Sequence, residues 1–259
     1  MANLITIERE QHSASIWLKR EDALNALNLE LIEELRRAIK DLSDDNLSSP
    51  LRFLLLRSST EKAFVAGADI KTMLSADRAT IGNLISAGQS LMNQIEAVPF
   101  PVIAAIRGAA LGGGLELALA CDVIIASTKS KIGLPEVGLG LIPGFGGTQR
   151  LIQRVGIGRA KRLILSGEIV DGEEAFKLGV VDLLANDQEF DQILIKFTQN
   201  FLVKSPVAAR EAKKLVSHLA CTELKQTLDL EVESFLKIFQ TKEAKEGLSA
   251  FVEKRAAKF

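Results

Sequence analysis

Two carboxylates stand almost alone in apolar stretches. Between Val102 and Ser127 the charged side chains are Arg107, Glu116 and Asp122, and between Ile132 and Gly147 the only one is Glu136. A carboxylate in apolar surroundings resists ionisation unless hydrogen bonds compensate, so its pKa climbs toward neutrality. Two such groups on separate strand-loop-helix units can serve as general base and general acid. Each also has a plainer local role. Glu116 can complement the dipole of a first helical turn, and Glu136 can be a solvated loop residue after Pro135.

Glycines lie beside both. Gly112-Gly113-Gly114 marks a strand-to-helix junction where the backbone can be approached closely and the first helical N–H groups lack internal partners. Such a corner binds an anion or a carbonyl oxygen. A second small-residue corner, Ala66-Gly67-Ala68-Asp69, can add the other N–H donor of an oxyanion hole. A third loop runs Ile142-Pro143-Gly144-Phe145-Gly146-Gly147.

Other chemistries lack parts. There is no GxSxG elbow, HExxH, GxxxxGK[ST] or complete GxGxxG after a strand. The histidines are His12 and His218, each among polar neighbours and read as surface residues. No metal site is expected.

Elements that would position these groups follow from periodicity. Leu4–Arg9 and Ser13–Lys19 read as short strands. Asn28 caps a helix carrying Leu31, Ile32, Leu35, Ile39 and Leu42 on one face. Phe53-Leu54-Leu55-Leu56 is continuously apolar, as a strand covered on both faces would be, and a loop leads from it to Ala66. A helix over Thr80–Val98 stops at Pro99 and Pro101. Val102–Ile106 and Val123–Ala126 are strands around a helix beginning near Leu115, and another strand lies near Ile132. Helices start near Thr148 and Gly158, and the pattern after Asp187 is almost purely helical. The fold class is α/β with a helical tail.

The chain has 259 residues, 47% hydrophobic and 25% charged, enough for a large core. Its 32 Lys+Arg against 33 Asp+Glu offer no basic field for nucleic acid or an anionic membrane. Cys121 and Cys221 are too few to suggest a disulfide framework and point to a reducing, cytoplasmic setting. Met1 to Glu10 lacks the apolar core of a signal peptide. The Val102–Ser127 tract, broken by charges and glycines, is a buried core segment and no membrane span.

The chain resembles the enoyl-CoA hydratase/isomerase (crotonase) family over essentially its whole length. The resemblance rests on Asn25-Ala26-Leu27, on Ala66 through Lys71, on Gly108 through Ala118, and on Pro135 through Arg150. The closing Glu246-Gly247-Leu248-Ser249-Ala250-Phe251 also fits. One departure is Glu21 after Arg20, where members often carry proline.

This resemblance implies a spiral of ββα repeats over residues 1–195 and a helical oligomerisation subdomain over 196–259, packing into homotrimers that pair as hexamers. By the same resemblance, the Ala68 and Gly113 N–H groups hold a thioester oxygen. Glu116 and Glu136 hold and activate water, and Gly144 is a donor near it. Ala66, Ala68, Asp69, Ile70 and Lys71 line the thioester and pantetheine arm, with Ala23 and Leu24 on another wall. The implied reaction is hydration of a 2-enoyl-CoA thioester, most like that of a short-chain enoyl-CoA hydratase of fatty acid β-oxidation. Coenzyme A enters as part of the substrate, and no separate cofactor is expected. Double-bond isomerases of the family commonly lose the glutamate aligned with Glu116, so retention of both favours hydration. Some relatives bind RNA, which balanced charge and the absence of Tyr argue against. An apolar stripe of Leu228, Val232, Phe235, Leu236 and Phe239, with Leu248, Phe251 and Val252 beyond it, calls for a partner subunit. Phe251 and Lys254 would reach a neighbouring CoA.

Overall fold

Alternation along the strands decides how the layers stack. In a computed structural model describing residues 3–44, 50–74, 76–218, 235, 241–253, 255 and 257–258, strand β3 (Phe53–Ser58) turns Leu54 and Leu56 to one core and Phe53 and Leu55 to another. Strands β5 (Val102–Ile106) and β7 (Val123–Ser127) divide in the same way. Both faces of the sheet are therefore covered, which explains the unbroken apolar runs.

Six strands form this sheet in the order β1-β2-β3-β5-β7-β10. Here β1 is Ile5–Arg9, β2 is Ser13–Leu18 and β10 is Leu183–Ala185, and only the β1–β2 pair is antiparallel. A second sheet runs β4-β6-β8-β9, made of Ala63–Val65, Ala109–Leu111, Lys131–Gly133 and Ile169–Asp171. Chain order explains the arrangement. β3, β5 and β7 enter the large sheet, each is followed by a strand of the small sheet, and helices close each turn. This is the expected ββα spiral.

The strands β4, β6, β9 and β10 correct the sequence reading. The segment before Ala66 was expected as a loop, and no strand was expected over Ala109–Leu111, Ile169–Asp171 or Leu183–Ala185. Three residues are too few to show a period of two, and these strands exist through pairing with distant ones.

Helix α1 (Leu29–Asp44) starts as expected, with Asn28 Oδ1 accepting the Leu31 N–H at 2.9 Å. After α2 (Ile70–Leu74), helix α3 (Arg78–Ala97) is capped by Asp77, whose Oδ1 accepts the Thr80 N–H at 2.8 Å. Helix α4 (Gly113–Leu119) begins at the second glycine of the triple, two residues before the expected start. A 3-10 turn over Pro135–Leu139 leads to α5 (Gly147–Val155), α6 (Ile157–Ser166) and α7 (Gly172–Leu178). Helix α8 (Phe190–Leu202) sets Phe190 and Leu194 on the outer face of the large sheet. The expected division at residue 195 falls inside this helix.

Helices α9 (Pro206–His218) and α10 (Lys242–Val252) follow. Phe235 and Leu248 are exposed. Leu228, Val232, Leu236, Phe239 and Lys254, and the side chains of Phe251 and Val252, lie outside the described residues. Among the described residues no helix is long and apolar enough to cross a membrane.

Candidate active site

The Ala66–Asp69 corner is held by strand-like pairing with Leu27. The Leu27 N–H donates to the Gly67 carbonyl at 2.8 Å, and the Asp69 N–H donates to the Leu27 carbonyl at 2.9 Å. Alternate amides of an extended segment point to opposite edges, so the Ala68 N–H faces the other way and has no acceptor among the described residues. Gly113, at the first position of α4, likewise has an N–H without an acceptor there. Ala68 and Gly113 therefore each present a backbone donor that is open to a ligand.

The glycine triple is explained by three neighbours. Gly112 has φ +50°, and a Cβ there would stand 3.0 Å from Glu136 Oε1. At Gly113 a Cβ would meet the Phe145 ring at 2.9 Å, and at Gly114 the Val65 carbonyl oxygen at 2.0 Å. Strand β4 and helix α4 can thus approach closely only through glycine.

Glu116, in the first turn of α4, is 1% exposed. Its Oε1 accepts the Phe145 N–H at 2.8 Å and the Gly147 N–H at 2.7 Å. Burial pushes its carboxyl up to about 7, with the nearby Glu136 charge adding to the rise and the two N–H donors and Arg150 opposing it. Glu136, on the 3-10 turn, is half-buried, and burial raises its carboxyl as well. Its Oε2 is buried without a hydrogen-bond partner among the described residues. An unpaired oxygen on a residue that lines a cavity can receive a proton or bind a polar ligand.

Both glutamates line one cavity, walled chiefly by apolar groups. Ala66, Ala68, Ile70, Gly113 and Gly144 also line it, joined by Met73, Ile85, Leu111, Leu139, Leu141 and Ile142. Ala23, Leu24, Asp69 and Lys71 are not among the lining groups. Leu24 borders the corner instead, its carbonyl accepting the Ala66 N–H at 3.1 Å. Lys71 is exposed on α2. Asp69 turns away from the cavity: its Oδ2 meets Arg20 Nη2 at 2.6 Å and its Oδ1 accepts the Thr72 N–H at 3.2 Å. Despite burial, these partners hold its carboxyl below the ordinary value. Neither histidine lines the cavity.

The sequence reading did not single out Phe145 and Gly147 as donors to Glu116. A signal was present, since Gly146-Gly147 opens a helix whose first N–H groups need acceptors.

One buried and one half-buried carboxylate, two outward amides and an apolar cleft on a ββα spiral define a crotonase-type acyl-thioester site. The enoyl-CoA hydratase/isomerase family model matches residues 8–259, and the chain belongs to that family. It is 38% identical over 255 residues to the crotonyl-CoA hydratase of Syntrophomonas wolfei, covering 98% of this chain and 97% of that protein. Identity to the short-chain-enoyl-CoA hydratase of Clostridium acetobutylicum is 36% over 253 residues, covering 98% and 96%. The crystal structure of enoyl-CoA hydratase from Bacillus anthracis matches with a TM-score of 0.95 at 36% identity, covering 99% of each chain.

Proposed function

We propose that this protein adds water across the 2,3 double bond of 2-enoyl-CoA thioesters to give 3-hydroxyacyl-CoA, as a hydro-lyase. The observation that carries this reading is Glu116: buried, held by two N–H donors, and raised toward neutrality opposite Glu136 in one cleft.

The chemistry follows from charge. Attack at C3 of the conjugated thioester moves negative charge to the carbonyl oxygen, where the Ala68 and Gly113 N–H groups stabilise the enolate. One such donor is worth about 3 kcal/mol of barrier. Water held between Glu116 and Glu136 gives its hydroxyl to C3 and its proton to C2. A carboxyl near pH 7 is suited to exchange protons both ways under ordinary conditions. Double-bond isomerisation needs one proton-moving carboxylate, and the hydrogen-bonded Glu116 beside Glu136 favours hydration.

Coenzyme A enters as part of the substrate, with no separate cofactor in this scheme. Within the same reading the protein is a cytoplasmic enzyme of fatty acid metabolism, assembled as a homotrimer or a hexamer of paired trimers through residues 196–259. Turnover of crotonyl-CoA and longer 2-enoyl-CoA thioesters, followed by loss of the conjugated thioester absorbance, tests it. No turnover at any chain length overturns it, and salt-titrated binding of single-stranded RNA tests the RNA-binding alternative.

A further inference from the structure

Arg150, one turn into α5, is directed wholly inward onto the segment that feeds Glu116. Its Nε and Nη2 meet the two Glu96 carboxylate oxygens at 2.7 and 2.8 Å, and Nη2 also reaches Asn93 Oδ1 at 2.8 Å. Its Nη1 donates to the Phe145 carbonyl at 3.0 Å. Gln89 adds a further tie, donating Nε2 to the Gly144 carbonyl at 2.9 Å. Gln89, Asn93 and Glu96 recur at helical spacing, so one face of α3 grips the 144–147 segment. Gly88 on the same helix leaves room for the Phe145 ring, which a Cβ would strike at 2.3 Å.

The Phe145 carbonyl belongs to the peptide lying between the two donors of Glu116. Holding that oxygen sets the orientation of the middle peptide plane, which narrows the rotations at Phe145 and Gly146 that bring the two N–H groups together. A guanidinium fork gives that hold direction as well as strength. We propose that Arg150 is a positioning residue, which aims the Phe145 and Gly147 N–H groups at Glu116 by clamping the Phe145 carbonyl to α3 through Glu96 and Asn93. Arg150 does not itself line the cavity and meets the lining only through the backbone carbonyl of Phe145. The proposal rests on the hydratase reading above. Its positive charge also lowers the Glu116 carboxyl, against the effect of burial.

The alternative is a staple that merely joins α3 to α5, and Arg154 supplies the control. One turn further along α5, Arg154 donates Nε to the Val180 carbonyl at 2.9 Å and pairs with Asp182, away from Glu116. The test compares the parent with R150A, R150K and R154A in crotonyl-CoA hydration, thermal melting and pH profile. R150A is expected to lose kcat on the order of a hundredfold while KM stays within about threefold. The acidic limb of its profile moves to higher pH, and millimolar guanidinium restores activity about tenfold. R150K, keeping charge without the fork, falls between, and carries the comparison if R150A does not fold. R154A keeps the parental kcat and limb.

Parental kcat and limb in R150A overturn the proposal. So does a loss that tracks melting temperature equally in R154A and is not rescued by guanidinium. If the parent itself does not hydrate crotonyl-CoA, the hydratase reading fails, and a carbon-13 carboxyl titration of Glu116 decides the role of Arg150 separately. Because R150A also removes a charge that lowers Glu116, the charge-keeping R150K decides: an upward move there upholds the role, and no move overturns it.

Discussion

The Gly147 N–H reaches Glu116 Oε1 at 2.7 Å, and a Cβ on residue 147 would stand 2.9 Å from that same oxygen. The start of α5 and the buried carboxylate therefore meet at a point that tolerates no side chain. A helix N-terminus with unsatisfied amides is a natural support for a carboxylate that must sometimes carry charge.

Gly147→Ala tests that contact. The added methyl must push Glu116 aside, so hydration is expected to fall on the order of a hundredfold, with a stability loss of about 1–3 kcal/mol from overpacking. Steady-state kinetics with denaturant unfolding checks it. A variant with parental kcat shows that catalysis tolerates the displacement of Glu116 that the added methyl imposes.

Replacing the two carboxylates separates their roles. Glu136→Gln keeps shape and removes the ionisable group, and both hydration and isomerisation should drop by several orders of magnitude. Glu116→Gln should cripple hydration yet leave some C2 proton exchange, because the Glu136 path survives. The Ala68 and Gly113 amides persist in both, so affinity for a non-reactive acyl-CoA should stay within about tenfold, ~1.4 kcal/mol. Near-parental hydration by Glu116→Gln removes the two-glutamate arrangement and moves isomerisation to the front.

The raised carboxyl of Glu116 also ties stability to pH. Unfolded, the group ionises near its ordinary 4.5, and folded near 7, so between those values the native state binds more protons. Its contribution is fully present below 4.5 and is lost as pH rises through 7. The magnitude is on the order of 3 kcal/mol. Urea unfolding of the parent and Glu116→Gln at pH 4.5 and 8 should show the variant gaining relative to the parent at the higher pH. An equal difference at both values shows that Glu116 has an ordinary carboxyl.

Assembly is tested by sedimentation. Phe235 and Leu248 stand exposed near the C-terminal end of the chain, apolar groups of the kind a partner subunit would cover. A trimer or hexamer is expected at micromolar concentration, and a stable monomer refutes it.

Much of this site was readable along the chain. Glu116 and Glu136 stood out because a lone charge in an apolar run is a local property, and so did the capping Asn28 and the two-faced β3. The glycine triple marked a close approach for the same reason, since only local backbone freedom is involved.

What approaches those glycines was not readable. That Gly114 faces the Val65 carbonyl depends on the short strand β4, which gains its identity by pairing with β6. That Gly113 faces the Phe145 ring depends on where the segment before α5 packs. Asp69 looked like a cleft residue and is instead paired with Arg20, which β2 brings alongside through its parallel register with β3. Glu116 found its two donors at the turn into α5, which α3 holds through Gln89 and Glu96. Residue type and spacing specify which groups need a partner. Which partner arrives is decided by sheet register and helix packing, because those contacts join segments far apart in the chain.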